Sequence, residues 1–88
     1  MTTEVLKLTA SALIDADHLA DTAERLLAAL NAFASAEERF DATGYATDAE
    51  AMARAEETCT EYWRAVRIAA YEYRKRAERA REAMVPNA

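Results

Sequence analysis

The chain has 88 residues, of which 52% are hydrophobic and 31% charged, with a formal net charge of −5. This composition excludes a disordered tail and leaves room for one small domain. An acidic chain is a poor general binder of nucleic acid. Its charge is divided along the sequence: residues 1–61 carry four basic and thirteen acidic side chains, residues 62–88 seven basic and three acidic. Met1-Thr2-Thr3-Glu4 has no basic run and no apolar stretch follows it, so no signal peptide is expected. No apolar run approaches the roughly 20 residues that span a bilayer. The one cysteine, Cys59, has no partner for an internal disulfide, and a cytoplasmic location is expected.

The first element is a long helix over about residues 3–40. Val5, Leu6, Ala12, Leu13, Leu19, Ala20, Leu26, Leu27, Leu30, Phe33, Ala34 and Phe40 recur at helical spacing, close to a heptad. Its start has two candidates. Thr3 gives the longest helix, but Leu6-Lys7-Leu8 alternates like a strand and Ser11 could cap a helix beginning at Ala12. A turn over residues 41–47 follows and holds Gly44, the single glycine of the chain.

A second helix is expected over about residues 48–84. Thr47-Asp48-Ala49-Glu50 reads as a capping box, and Pro86 as the terminator. Its stripe is Met52, Cys59, Trp63, Val66, Ala70, Tyr73, Ala77, Ala80 and Met84. Each helix, at roughly 37 residues, would be about 55 Å long. The short connection makes the helices antiparallel neighbours, with residue i roughly opposite residue 88 − i. The expected fold is therefore all-α: one domain, residues 1–88, a long antiparallel two-helix hairpin. Leu13, Leu27, Leu30, Phe33, Trp63, Val66 and Tyr73 should form its core. Ala-rich helices bury little area, so dimerisation into a four-helix bundle is expected.

Several side-chain groups could carry function. Arg67, Arg74 and Arg81 repeat every seven residues, with Arg64 and Lys75 nearby. They could pair across the hairpin with helix 1 acids, Asp21 near Arg67 and Glu24 near Arg64, each exposed pair contributing about 0–1 kcal/mol. They could instead receive an acidic partner or a phosphate backbone. Tyr71 and Ile68 point away from the stripe, and with Arg64, Arg67, Arg74 and Lys75 they form the candidate partner-binding face; Ile14 is off the stripe of helix 1 in the same way. A second candidate is the acidic surface near the turn, Glu37, Glu38, Asp41, Asp48, Glu56, Glu57 and Glu61, which could attract a basic protein surface.

His18, with Asp15 and Asp21 three residues to either side, loosely has carboxylate–histidine spacing, but a single His argues against a metal site. Cys59 lies on the stripe and reads as a small buried hydrophobe. No cofactor, metal or catalytic residue is expected.

The chain departs from the small secreted helical hairpins marked by Trp-x-Gly in the turn: Gly44 is followed by Tyr45, and Trp63 lies inside helix 2. That family's Tyr-x-x-x-acid signal is also missing, since Lys75 follows Tyr71 and Ala77 follows Tyr73 at that spacing. In size, Ala-rich acidic helices and lack of catalytic motifs it is similar to small phage-encoded inhibitors of bacterial defence or regulatory proteins, such as anti-CRISPR proteins. That resemblance implies a non-enzymatic protein that binds a protein target as an inhibitor, adaptor or regulator. The alternatives are a nucleic-acid-associated helical protein using the Arg-rich half of helix 2, and an oligomeric metal-binding carboxylate protein.

Overall fold

The computed structural model describes residues 2–85. It contains two helices, α1 (Thr3–Thr43) and α2 (Ala46–Met84), folded back on each other into a rod of 66 × 15 × 13 Å. The expected helical hairpin is thus the fold of the chain.

α1 begins at the earlier of its two candidate starts. Thr2 is extended, and its hydroxyl accepts the Val5 N–H at 3.2 Å, satisfying a donor that has no partner within the helix. Ser11 therefore lies inside the helix and does not cap it. α1 ends at Gly44, whose φ of 67° is the left-handed conformation that closes helices; its N–H donates to the Phe40 carbonyl at 2.7 Å. Nothing lies within 4 Å of where a Cβ would sit on Gly44, so backbone conformation alone selects glycine there.

The connection is shorter than residues 41–47. α1 continues through Thr43, and α2 starts at Ala46 with Tyr45 as its extended N-cap and no side-chain capping bond. The capping box at Thr47 does not form, because Gly44 turns the chain sharply enough for Thr47 to be already helical. Thr43 takes over the local polar work. Its hydroxyl lies 3.0 Å from the Arg39 carbonyl, accepts the Tyr45 N–H at 3.3 Å and contacts the Asp48 carboxylate. The Asp48 and Ala49 N–H groups both donate to the Tyr45 carbonyl at 3.1 Å. Pro86 lies outside the described residues.

The seam between the helices follows a strict alternation of three and four residues. On α1 it comprises Val5, Leu8, Ala12, Asp15, Leu19, Thr22, Leu26, Ala29, Phe33, Ala36 and Phe40, all buried or half-buried. On α2 it comprises Met52, Ala55, Cys59, Tyr62, Val66, Ala69, Tyr73 and Ala80, with Arg76 at the one charged position. These are the a and d positions of a coiled-coil heptad. Alternate positions are small: Ala36 and Ala69 are 3% exposed, and Thr22 is 5% exposed. The Thr22 hydroxyl donates to the His18 carbonyl at 2.8 Å, so its burial leaves no unpaired donor.

Three of the seven expected core residues lie in the seam. Phe33, Val66 and Tyr73 are half-buried in the seam. Leu13, Leu27, Leu30 and Trp63 are not in it, and their exposures run from 46% to 66%. A two-helix rod has one shared seam, and these four side chains sit beside it. On α2 the expected stripe was rotated: Tyr62 faces α1, and its neighbour Trp63 faces out.

Candidate functional site

The Arg-rich half of α2 is a solvent-facing surface. Arg64, Arg67, Ile68, Tyr71, Arg74 and Lys75 are all exposed. The first five line a shallow groove with Trp63, Val66 and Ala70, so helical geometry gathers the expected partner-binding residues along about three turns. Lys75 reaches back one turn and places its Nζ 5.6 Å from the centre of the Tyr71 ring, within cation–π range. Ile68 and Tyr71 remain 59% and 57% exposed.

The expected cross-hairpin ion pairs do not form. Asp21 pairs with Arg25 of its own helix at 3.3 Å, one turn away. The pair that does join the helices is Arg76 with Asp15, at 3.2 Å, and it sits in the seam. Among the described residues these are the two salt bridges. Arg64, Arg67 and Arg74 therefore carry no carboxylate partner there. They point off the seam, toward the outer side of α2, whereas Arg76 occupies a seam position and meets a seam carboxylate.

The acidic surface divides in two. Glu37, Glu38, Asp41, Glu56, Glu57 and Glu61 are exposed around the turn end of the rod. Asp48 is half-buried and engaged with Thr43, so it belongs to the turn. Ile14 is exposed on the outer side of α1, in a groove with Asp17, His18, Ala20, Asp21 and Glu24. His18 is exposed, and no three His, Cys, Asp or Glu side chains converge among the described residues.

A feature missed in the sequence spans both helices. Leu26, Leu30 and Phe33 of α1 and Glu56, Cys59, Thr60 and Trp63 of α2 line one groove, with half-buried Cys59 on its wall. It places Leu30 and Trp63 on the same face of the rod. Leu6, Leu13 and Leu27 extend that face along α1, and Met84 extends it along α2; all four are exposed. The signal was present as a second three-and-four stripe beside the first. Among the described residues, no helix is long and apolar enough to cross a membrane.

No protein family, curated protein or solved structure matches the chain.

Proposed function

We propose that this chain is a non-enzymatic, cytoplasmic protein-binding module that acts as a small inhibitor, adaptor or regulator, of the kind phages use against bacterial defences. It docks the outer face of α2 onto a protein target and works as a homodimer. The observation that carries this reading is the pairing of exposed Ile68 and Tyr71 with Arg64, Arg67 and Arg74, which have no carboxylate partner among the described residues. Tyr and Arg dominate the energetics of protein interfaces, and an aromatic ring ringed by guanidinium groups suits a target surface that is apolar at its centre and acidic at its rim. A continuous helix holds these side chains in fixed register, so little ordering is needed on binding.

The test is an affinity pull-down with the tagged chain, with and without nuclease, read by mass spectrometry beside a Tyr71→Ala, Ile68→Ser variant. One dominant protein that survives nuclease and disappears with the double variant supports the reading. A partner retained by the variant moves the site to the acidic turn end.

A second reading has its own support. The same unpartnered arginines could hold a phosphate backbone. Binding would then fall steeply with salt and would follow arginine substitution more than loss of Tyr71.

A further inference from the structure

We infer that the outward apolar stripe of α1 is the contact with a second copy of this chain, and that two hairpins pair with their long axes parallel, turn beside turn, so that α1 of each copy lies on α2 of the other. This rests on the dimer reading above and adds its face and its arrangement.

Area points to a missing neighbour. The rod exposes 6769 Å², whereas a compact monomer of 9.8 kDa exposes about 5,200 Å². The excess, roughly 1,600 Å², is about twice the 800 Å² that each partner buries in a standard interface. The stripe itself has seam spacing. Leu6, Leu13, Ala20, Leu27 and Ala34 recur every seven residues, and Thr9, Ala16, Ala23 and Leu30 fall between them. It lies about 100° around α1 from the buried seam, the angle by which a helix touches two neighbours in a four-helix bundle.

Charge selects the occupant and its direction. The stripe of α1 is bordered on its outer side by Asp17 and Glu24, seven residues apart. On the same face of the rod, α2 presents Trp63, Ala70, Ala77 and Met84, bordered by Arg67 and Arg74, also seven apart. A two-fold axis across the rod would lay α1 on α1 and α2 on α2, acids against acids and arginines against arginines. A two-fold axis along the rod lays the acidic border of each copy on the basic border of the other.

The register agrees. The Asp15–Arg76 pair sets residue i of α1 level with about residue 91 − i of α2, and an axis along the rod preserves level between copies. Asp17 then meets Arg74 of the partner subunit, and Glu24 meets Arg67 of the partner subunit. To within one residue, Leu6 meets the partner's Met84, Leu13 the partner's Ala77, Ala20 the partner's Ala70, and Leu27 the partner's Trp63. Large side chains thus meet large ones at Trp63, and alanine meets alanine at the middle of the rod. The arrangement sets the two acidic turn ends side by side, so contact is tight from residue 6 to about residue 34 of α1 and open beyond. Arg67 and Arg74, unpartnered within one chain among the described residues, are taken up at this border, so in the dimer the face left for the target narrows to Arg64, Ile68, Tyr71 and Lys75.

The test uses the whole chain with Cys59→Ser as background. Sedimentation equilibrium at micromolar concentration should give a dimer. Mixing Leu13→Cys chains with Ala77→Cys chains under mild oxidation should give a mixed disulfide dimer, while Ala20→Cys chains alone should not crosslink. Reversal of Arg67 and Arg74 to Glu should weaken dimerisation about tenfold or more, since several border pairs become repulsive. Adding Asp17→Arg and Glu24→Arg to the same chain should restore it. These four positions are exposed, so the variants leave the hairpin seam intact. A helical monomer overturns the inference while leaving target binding through Tyr71 standing. Crosslinking through Ala20 alone, or failure of the four-residue swap to restore the dimer, overturns the arrangement.

Discussion

The two sides of α1 carry the same spacing and opposite side chains. Toward α2, one row of the seam is small or polar, Asp15, Thr22, Ala29 and Ala36, and the last three are buried. Away from α2, the neighbouring row offers Leu6, Leu13 and Leu27 to solvent. Hydrophobicity alone would bury the leucine side. The chain instead buries the side whose small residues allow close packing along the whole length, with larger Leu19, Leu26, Phe33 and Phe40 interleaved between them. Close approach lets many weak dispersion contacts accumulate over two long helices, where bulky residues in every layer would hold the axes apart.

The largest effect expected from breaking this contrast is at Ala69, which is 3% exposed at the middle of the seam. Ala69→Asp places a carboxylate there without a partner and should cost at least about 3 kcal/mol, enough to unfold a small hairpin. Ala20→Asp, on the outward row at the same height, should leave helicity intact at concentrations where the chain is monomeric. Circular dichroism during thermal unfolding separates the two, and equal losses would mean that the seam is misplaced.

The next contrast falls on adjacent residues. Tyr62 is half-buried in the seam and Trp63 is 55% exposed. Tyr62→Ala should destabilise the isolated hairpin by about 2–3 kcal/mol, and Trp63→Ala by less than about 1 kcal/mol. Denaturant titration of the dilute chain measures both. The ranking should change at high concentration if Trp63 is covered by a second copy, because its loss then acts on association.

Trp63 also shows where the sequence stops being readable. Two helices and a reversal were legible, because neither helix contains a breaker and Gly44 stands alone between them. The seam was legible in only one of its two rows. Cys59, Val66, Tyr73 and Ala80 belong both to the true seam and to a stripe rotated by about 50°, and the apolar character of Trp63, Ala70, Ala77 and Met84 favours the rotated one. The true second row reads Ala55, Tyr62, Ala69 and Arg76, so an arginine sits where a hydrophobe is sought. Its acceptability depends on Asp15 of the other helix, a pairing between positions far apart in the chain. The turn failed differently. Thr47 and Glu50 make a sound capping box locally, but the left-handed Gly44 lets α2 begin before them. The candidate binding face was legible because it needed only the positions of Arg64, Arg67, Ile68, Tyr71 and Arg74 around one helix. Their exposure follows from that geometry; that Asp21 pairs with Arg25 of its own helix and not with Arg67 was not legible.

The smallest effect expected is at the charged layer. Arg76 lies 3.2 Å from Asp15, yet it remains 47% exposed while the Asp15 side chain is only 15% exposed, and Asp15 Oδ2 is buried without a hydrogen-bond partner. The guanidinium is largely hydrated, so the attraction it contributes is screened. The carboxylate is the costly member, because one of its oxygens is buried with no bond to replace its water and the other has a single, screened partner. Arg76→Ala should therefore destabilise by about 1–2 kcal/mol, chiefly by stranding Asp15. Asp15→Leu should be neutral or stabilising by about 1 kcal/mol, since the position is flanked by Ala12 and Leu19 in the same seam. The double variant Asp15→Leu, Arg76→Ala should recover most of what Arg76→Ala loses. Thermal unfolding of the three variants measures this cycle. If Asp15→Leu were as damaging as Arg76→Ala, the pair would be holding the register of the hairpin as well as neutralising a buried charge, and the leucine variant should then show broadened, register-shifted spectra by NMR.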